Sequence, residues 1–168
     1  MENDERTRPS RVADDRTSLT SFLDYQRSTL AMKCKELSDE QLKRTAIATT
    51  QLSLLGLVRH AASVERTWFR LVLDAEEVPS LWPGKSPGTF ADFCVEDADV
   101  DEAFQVWREE CNRARAVEAS FASPDDTIEC GGVVISLRYV LTHMIEEYAR
   151  HNGHADLLRE AIDGAVGE

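Results

Sequence analysis

His143, Glu147, His151 and His154 are spaced four, four and three residues apart in the stretch His-Met-Ile-Glu-Glu-Tyr-Ala-Arg-His-Asn-Gly-His, residues 143–154. On an α-helix those steps return to one side, so all four side chains fall within about one quadrant. Imidazoles flanking a carboxylate are how a helix presents ligands to a divalent metal. The chain has four histidines in all. The fourth, His60, lies in a second apolar segment, Leu54-Leu-Gly-Leu-Val-Arg-His-Ala-Ala-Ser-Val64. Two helices could therefore bring His60 against the Glu147/His151 face.

His60, Glu147 and His151 offer two neutral nitrogens and one oxygen. Three protein ligands with an open position make a catalytic metal site, whereas four closed ligands make a structural one. At i, i+4 the Cβ atoms of Glu147 and His151 stand about 6 Å apart. That lets both side chains reach one ion at about 2.0–2.2 Å. Zn2+ suits the set, and Ni2+, Fe2+ or Mn2+ fit it too. The plainer reading is that His60 is a hydrogen-bonded core histidine and that Glu147 and His151 form a surface ion pair. The concentration of all the histidines on these two segments favours the metal. His143 fits either a fourth ligand or a hydrogen-bond partner behind the ligands. His154 fits a partner to a ligand or a donor to a bound anion. Both are candidate catalytic residues. Glu65 and Arg66 read as solvated or ion-paired, and Arg159 could help position a carboxylate.

Helical elements must carry these groups. Leu19, Phe22, Leu23, Leu30 and Leu37 recur at helical spacing, with Tyr25 and Met32 beside them, and predict a first helix over about Ser18–Glu36. Ser38 and Gln41 form a capping-box pattern that opens a short turn. Ser53 is a natural N-cap for a second long helix, Leu54 to about Leu73, apolar almost all round at its start and therefore buried. Trp68, Phe69, Leu71 and Val72 continue it. Gly56, one turn before His60, would allow a neighbouring backbone to come close. From Glu76 to Asp97, prolines and glycines (Pro79, Pro83, Gly84, Pro87, Gly88) alternate with Trp82, Phe90 and Phe93. This predicts a long ordered loop whose aromatics must pack. A third helix spans about Val100–Phe121, with Ala103, Val106, Trp107, Cys111, Ala114 and Val117 as its apolar set. Ile128–Val134, interrupted by Gly131-Gly132, reads as an extended segment or short hairpin. Ser136 caps a fourth long helix to about Ile162. Its inner face is Leu137, Val140, Leu141, Met144, Tyr148, Ala155, Leu158 and Ile162. The whole is all-α, a four-helix bundle. Residues 1–14, with little to bury, read as a flexible tail before a single domain over 15–168.

Composition narrows the chemistry. The chain has 168 residues, 42% hydrophobic and 30% charged, with a net charge of −12. That charge argues against nucleic acid, which needs a basic surface, and against an anionic membrane. No apolar run approaches the roughly 20 residues that span a bilayer. The polar N-terminus does not read as a secretory signal. Cys34, Cys94, Cys111 and Cys130 form no Cys-x-x-Cys and read as free thiols of a cytoplasmic protein. Ferritin-like di-iron sites need paired Glu-x-x-His motifs, and no Glu here has a His three residues later.

Leu52-Ser-Leu-Leu-Gly-Leu-Val-Arg-His60, Val64-Glu-Arg-Thr-Trp68-Phe and Glu146-Glu-Tyr-Ala-Arg-His151-Asn-Gly-His-Ala-Asp-Leu-Leu-Arg-Glu160 together resemble the DinB superfamily. The resemblance covers about residues 15–164. It is nearest the branch called DUF664 and the N-terminal metal-binding domain of mycothiol-dependent maleylpyruvate isomerase. It implies a bundle of up-down-down-up connectivity and a metal triad of one histidine from the second helix and two residues four apart on the last, here His60, Glu147 and His151. Many members carry His-x-x-x-His where this chain carries Glu-x-x-x-His. It also implies a thiol S-transferase that joins a low-molecular-weight thiol such as mycothiol to an electrophilic substrate, in detoxification or stress response, with a homodimer among the possible states. The isomerase has a further C-terminal domain, and this sequence ends at Glu168, so conjugation rather than isomerisation is expected. Two alternatives stand beside it. One is a hydrolase in which metal-activated water is the nucleophile and His143, His154 or Glu65 the base. The other is a non-catalytic metal- or ligand-binding stress protein.

Overall fold

The computed structural model describes residues 6–82 and 91–167. The chain is mostly helical. In order come α1 (Asp15–Cys34), the short α2 (Asp39–Lys43), α3 (Leu54–Glu65) running into a π-helical segment (Arg66–Leu73), a 3-10 turn (Ala91–Phe93), α4 (Val100–Ser120), strands β1 (Thr127–Cys130) and β2 (Val133–Ser136), and α5 (Leu137–Asp163). α1 packs chiefly on α5, and α3 on α4, with α3 also meeting α5.

Side chains that satisfy orphan backbone N–H groups set where the helices begin. Asp14 accepts from Thr17 N, Ser53 from Gly56 N, Asp99 from Glu102 N and Ser136 from Tyr139 N. The Ser38/Gln41 capping box is complete in both directions. α1 stops two residues earlier than its periodicity predicts, because Glu36 turns into the left-handed region at φ 64°. Of the two readings of Ile128–Val134, an extended segment or a short hairpin, the structure has the hairpin, slightly longer at both ends: Thr127 pairs with Ser136 and Cys130 with Val133. Gly131 and Gly132, both at positive φ, make the two-residue turn that a tight hairpin requires.

The core gathers Leu54, Leu55, Leu57 and Val58 of α3 with Leu23 and Leu30 of α1 and Leu137, Leu141, Met144 and Leu158 of α5, all essentially without solvent contact. Burying each such side chain stabilises the fold by about 1.5–3 kcal/mol. Two expectations fail. Phe22 leaves nearly half of its surface exposed. Beyond Glu65 the helix winds as a π-helix, with Asp74 N donating to Phe69 O. The looser winding rotates successive side chains less than an α-helix does. Phe69, Arg70 and Leu73 therefore turn inward, and Leu71 turns out. In the proline- and glycine-rich loop, Trp82 donates its indole N–H to Arg59 O, and its ring lies 4.5 Å below the Arg59 guanidinium. Pro83, Gly84, Pro87, Gly88 and Phe90 lie outside the described residues, as do the first five residues of the expected tail.

Candidate metal centre

α3 and α5 bring His60 and the Glu147/His151 pair face to face. His60 sits one turn past Gly56 on the buried start of α3. Glu147 and His151, one turn apart, flank the inner row of α5. His60 Nε2 lies 3.0 Å from Glu147 Oε1, and His151 Nε2 lies 3.2 Å from the same oxygen. The three potential ligand atoms are all within 4.8 Å of one another, the one such group of three or more among the described residues. A tetrahedral ion about 2.0–2.2 Å from each donor would set donors about 3.4 Å apart, close to the two nitrogen–oxygen spacings here. Each of the three side chains keeps slightly under a fifth of its surface exposed. They are half-buried, with a way in from solvent. Leu30, Leu57, Ala61 and Val64 wall the cavity beside them, which measures about 220 Å³ including its open mouth.

The far side of each imidazole is also engaged. His60 Nδ1 meets Asp92 Oδ2 at 3.0 Å, and His151 Nδ1 faces His154 Nδ1 at 3.3 Å. The two imidazoles are pushed in opposite directions. Burial would lower the pKa of His60, but its hydrogen bonds to Asp92 and Glu147 prevail and raise it. Burial, together with the neighbouring His60, lowers the pKa of His151 against the pull of Glu147. Burial would raise the pKa of Glu147, yet the bond from His60 and the charge of His151 hold it below the usual carboxylate value.

The row of four that the sequence placed in one quadrant divides into three environments. Glu147 and His151 join His60. His154 stands behind His151. His143 packs against Trp68, with ring centroids 4.5 Å apart, and stacks on Tyr139 at 6.2 Å. It lies outside the donor triad.

Glu65 departs from the solvated reading. It is completely buried, and its carboxylate accepts from Arg27 Nε and Nη2 at 2.7 Å each, from the Tyr148 hydroxyl at 2.8 Å and from the Cys111 thiol at 3.6 Å. Trp107 in turn donates to the Tyr148 oxygen at 2.8 Å. A carboxylate sealed from solvent and held at both oxygens by one guanidinium is placed to lock the helices together, away from the donors of the metal site. Arg66 is ion-paired as expected, to Glu110, which Arg70 also contacts. Arg159 donates to Lys33 O and Lys35 O at the end of α1 and pairs with Asp163. The four cysteines are free thiols, Cys34 and Cys111 buried and Cys94 exposed.

Asp92, Ser63 and Phe93 also belong to this site, and histidine spacing did not single them out. The signals for them were Gly56, whose missing side chain invites a close neighbour, and an aromatic at position 93 that needed somewhere to pack. The neighbour is the Ala91–Phe93 turn: a Cβ on Gly56 would come within 3.0 Å of the Phe93 ring.

Among known proteins, a family model described as MST, mycothiol-S-transferase, matches residues 18–164 of the chain. No curated protein matches it. Among the described residues, no helix is long and apolar enough to cross a membrane.

Proposed function

The chain belongs to the mycothiol-S-transferase family, which is DinB-like, and on that premise we propose that it is a metal-dependent thiol S-transferase. The convergence of His60 Nε2 and His151 Nε2 on Glu147 Oε1, inside the matched region, carries this reading. His60, Glu147 and His151 hold one divalent cation, Zn2+ by the chemistry of two nitrogens and an oxygen, with Ni2+, Fe2+ or Mn2+ as other occupants. A cation bound there supplies a Lewis acid that keeps a thiol as its thiolate at neutral pH.

The chain's own residues do the rest. Leu30, Leu57, Ala61 and Val64 exclude water from one side of the donors. The enclosed part of the cavity is far too small to surround a drug-sized ligand, whose pockets run to roughly 300–1,000 Å³. A mycothiol-like thiol therefore enters by its sulfur end and lies across the mouth with its bulk outside. As that sulfur forms a C–S bond to the electrophilic carbon of the second substrate, the bond from that carbon to its leaving group breaks and the departing group takes the electron pair, while the thiol proton passes to a nearby base. His154, hydrogen-bonded to His151, and His143, one turn before Glu147, are the candidates to receive it. The same reading makes residues 15–168 one domain, after a 1–14 tail, and α1, α3 with its π-helical extension, α4 and α5 an up-down-down-up four-helix bundle of the DUF664 type. It makes the protein cytoplasmic and leaves room for a homodimer.

The test is conjugation of a model electrophile with mycothiol by zinc-loaded protein. Turnover that disappears on chelation and in His60→Ala supports the proposal. Turnover without any thiol would assign hydrolysis instead. A protein that binds metal but turns over no combination of thiol and electrophile would be a binding module.

A further inference from the structure

A histidine that ligates a metal through Nε2 must carry its proton on Nδ1, and whatever accepts that proton fixes both the tautomer and the ring plane. Asp92 is in that position for His60, 32 residues away in sequence and on a different element. Its Oδ2 lies 3.0 Å from His60 Nδ1, and its Oδ1 accepts from Ser63 Oγ at 2.8 Å. Ser63 is one turn after His60 on α3, so the carboxylate is clamped between two residues of the helix that carries the ligand. The turn bearing Asp92 is itself docked on α3. Phe93 stacks on the His60 ring, with centroids 5.3 Å apart and planes 28° apart, and fills the space left by Gly56. The Arg59 guanidinium donates to Cys94 O immediately after it. Gly56, Arg59, His60 and Ser63 thus form one docking strip for a single short turn. Asp92 approaches the ring from the Nδ1 edge, opposite Glu147, so it does not compete for the cation. The second imidazole is met differently: among the described residues, His151 Nδ1 faces another ring nitrogen, that of His154.

We propose that Asp92 is a positioning residue of the metal centre. Presented on the Ala91–Phe93 turn, it holds the Nδ1 proton of His60 and so commits Nε2 to the cation. The proposal rests on the metal-centre reading above and adds a residue that acts on the cation only through His60.

The test compares wild type, Asp92→Ala, Asp92→Asn and Ser63→Ala for zinc affinity, by competition with a chromophoric chelator. The low-field imidazole N–H proton resonances of the zinc-loaded proteins are recorded in parallel. Asp92→Ala should bind zinc about 10–100-fold more weakly, the usual effect of losing a partner behind a ligand, and should lose the His60 Nδ1–H resonance to solvent exchange. Asp92→Asn keeps an acceptor of the same shape and should retain the resonance with a smaller loss of affinity. Ser63→Ala should weaken binding a few-fold. Wild-type affinity in Asp92→Ala, with the resonance retained, would overturn the proposal and leave the metal centre standing. If Asp92→Ala does not fold, Asp92→Asn and Ser63→Ala decide: weaker binding in both supports it, and wild-type binding in both overturns it. A wild-type protein that binds no zinc would overturn the metal centre and, with it, the role of Asp92.

Discussion

Two glutamates on neighbouring helices face the interior of this protein, and they are wired in opposite ways. Glu65 of α3 has no exposed surface and is met by a guanidinium, a phenol and a thiol, all of them donors. Glu147 of α5 keeps an open edge and is met at one oxygen by two imidazole nitrogens. A guanidinium can only donate, so the Glu65 site is closed to any cation. An imidazole nitrogen can exchange its proton for a metal, so the Glu147 site can accept one. The residue type is the same. The partners decide which carboxylate locks the fold and which one is available for chemistry. Tyr148 touches both regions, with its ring beside the cavity and its hydroxyl on Glu65.

The largest effect separating the two should come from Glu65→Ala. It leaves the Arg27 guanidinium buried without its partner and should cost about 3–5 kcal/mol of stability. Chemical denaturation measures it, and a loss below about 1 kcal/mol would show that the pair is not the lock. Glu147→Gln should do the reverse. Metal affinity should fall by more than the roughly 100-fold upper bound for a partner behind a ligand, while the metal-free protein unfolds within about 1 kcal/mol of wild type. A large stability loss without any change in affinity would erase the distinction between the two glutamates.

Alkaline pH should weaken the buried interior, the closed region included. Burial, and for Cys111 also the Glu65 charge, pushes the Cys34 thiol up to about 12 and the Cys111 thiol higher still. Burial and Glu65 likewise raise the Tyr148 phenol well above its ordinary value. With all three raised in the folded state, the unfolded chain binds fewer protons once pH passes their unfolded values. Their stabilising contribution is complete below about pH 8.5 and is lost as pH rises toward the folded values. Each thiol contributes a slope of about 1.4 kcal/mol per pH unit. Unfolding midpoints measured from pH 7 to 11 in the presence of a reductant should fall, and a flat profile would contradict the burial of these groups. The smallest effect is expected from Tyr148→Phe, which removes one hydrogen bond to Glu65 and should cost about 1 kcal/mol while leaving zinc affinity unchanged. A change in affinity would mean that the two regions are coupled through this residue.

Most of what positions the open site was legible in the sequence, for local reasons. Ser53 and Ser136 start α3 and α5 where their side chains cap the first turn, and the 3.6-residue period places Glu147 and His151 on one flank. Gly131-Gly132 announced the hairpin turn. The closed region was less legible because it is built from pairs distant in sequence. Arg27 and Glu65 are 38 residues apart, and nothing near either marks it as buried. A charged residue inside a helix reads as solvated unless its partner is known. Asp92 escaped notice for the same reason. Phe22 and Leu71 failed differently. Phe22 lies in a helix whose apolar stripe is narrow, and Leu71 was displaced by π winding that no residue type announces.

Metal content of the protein, purified without a polyhistidine tag, loaded with zinc and dialysed, decides most directly whether His60, Glu147 and His151 form one site. Close to one equivalent of zinc should remain on wild type and almost none on His60→Ala. No retained metal on wild type, or equal retention by both proteins, would contradict a shared cation and leave the three side chains as a hydrogen-bonded cluster.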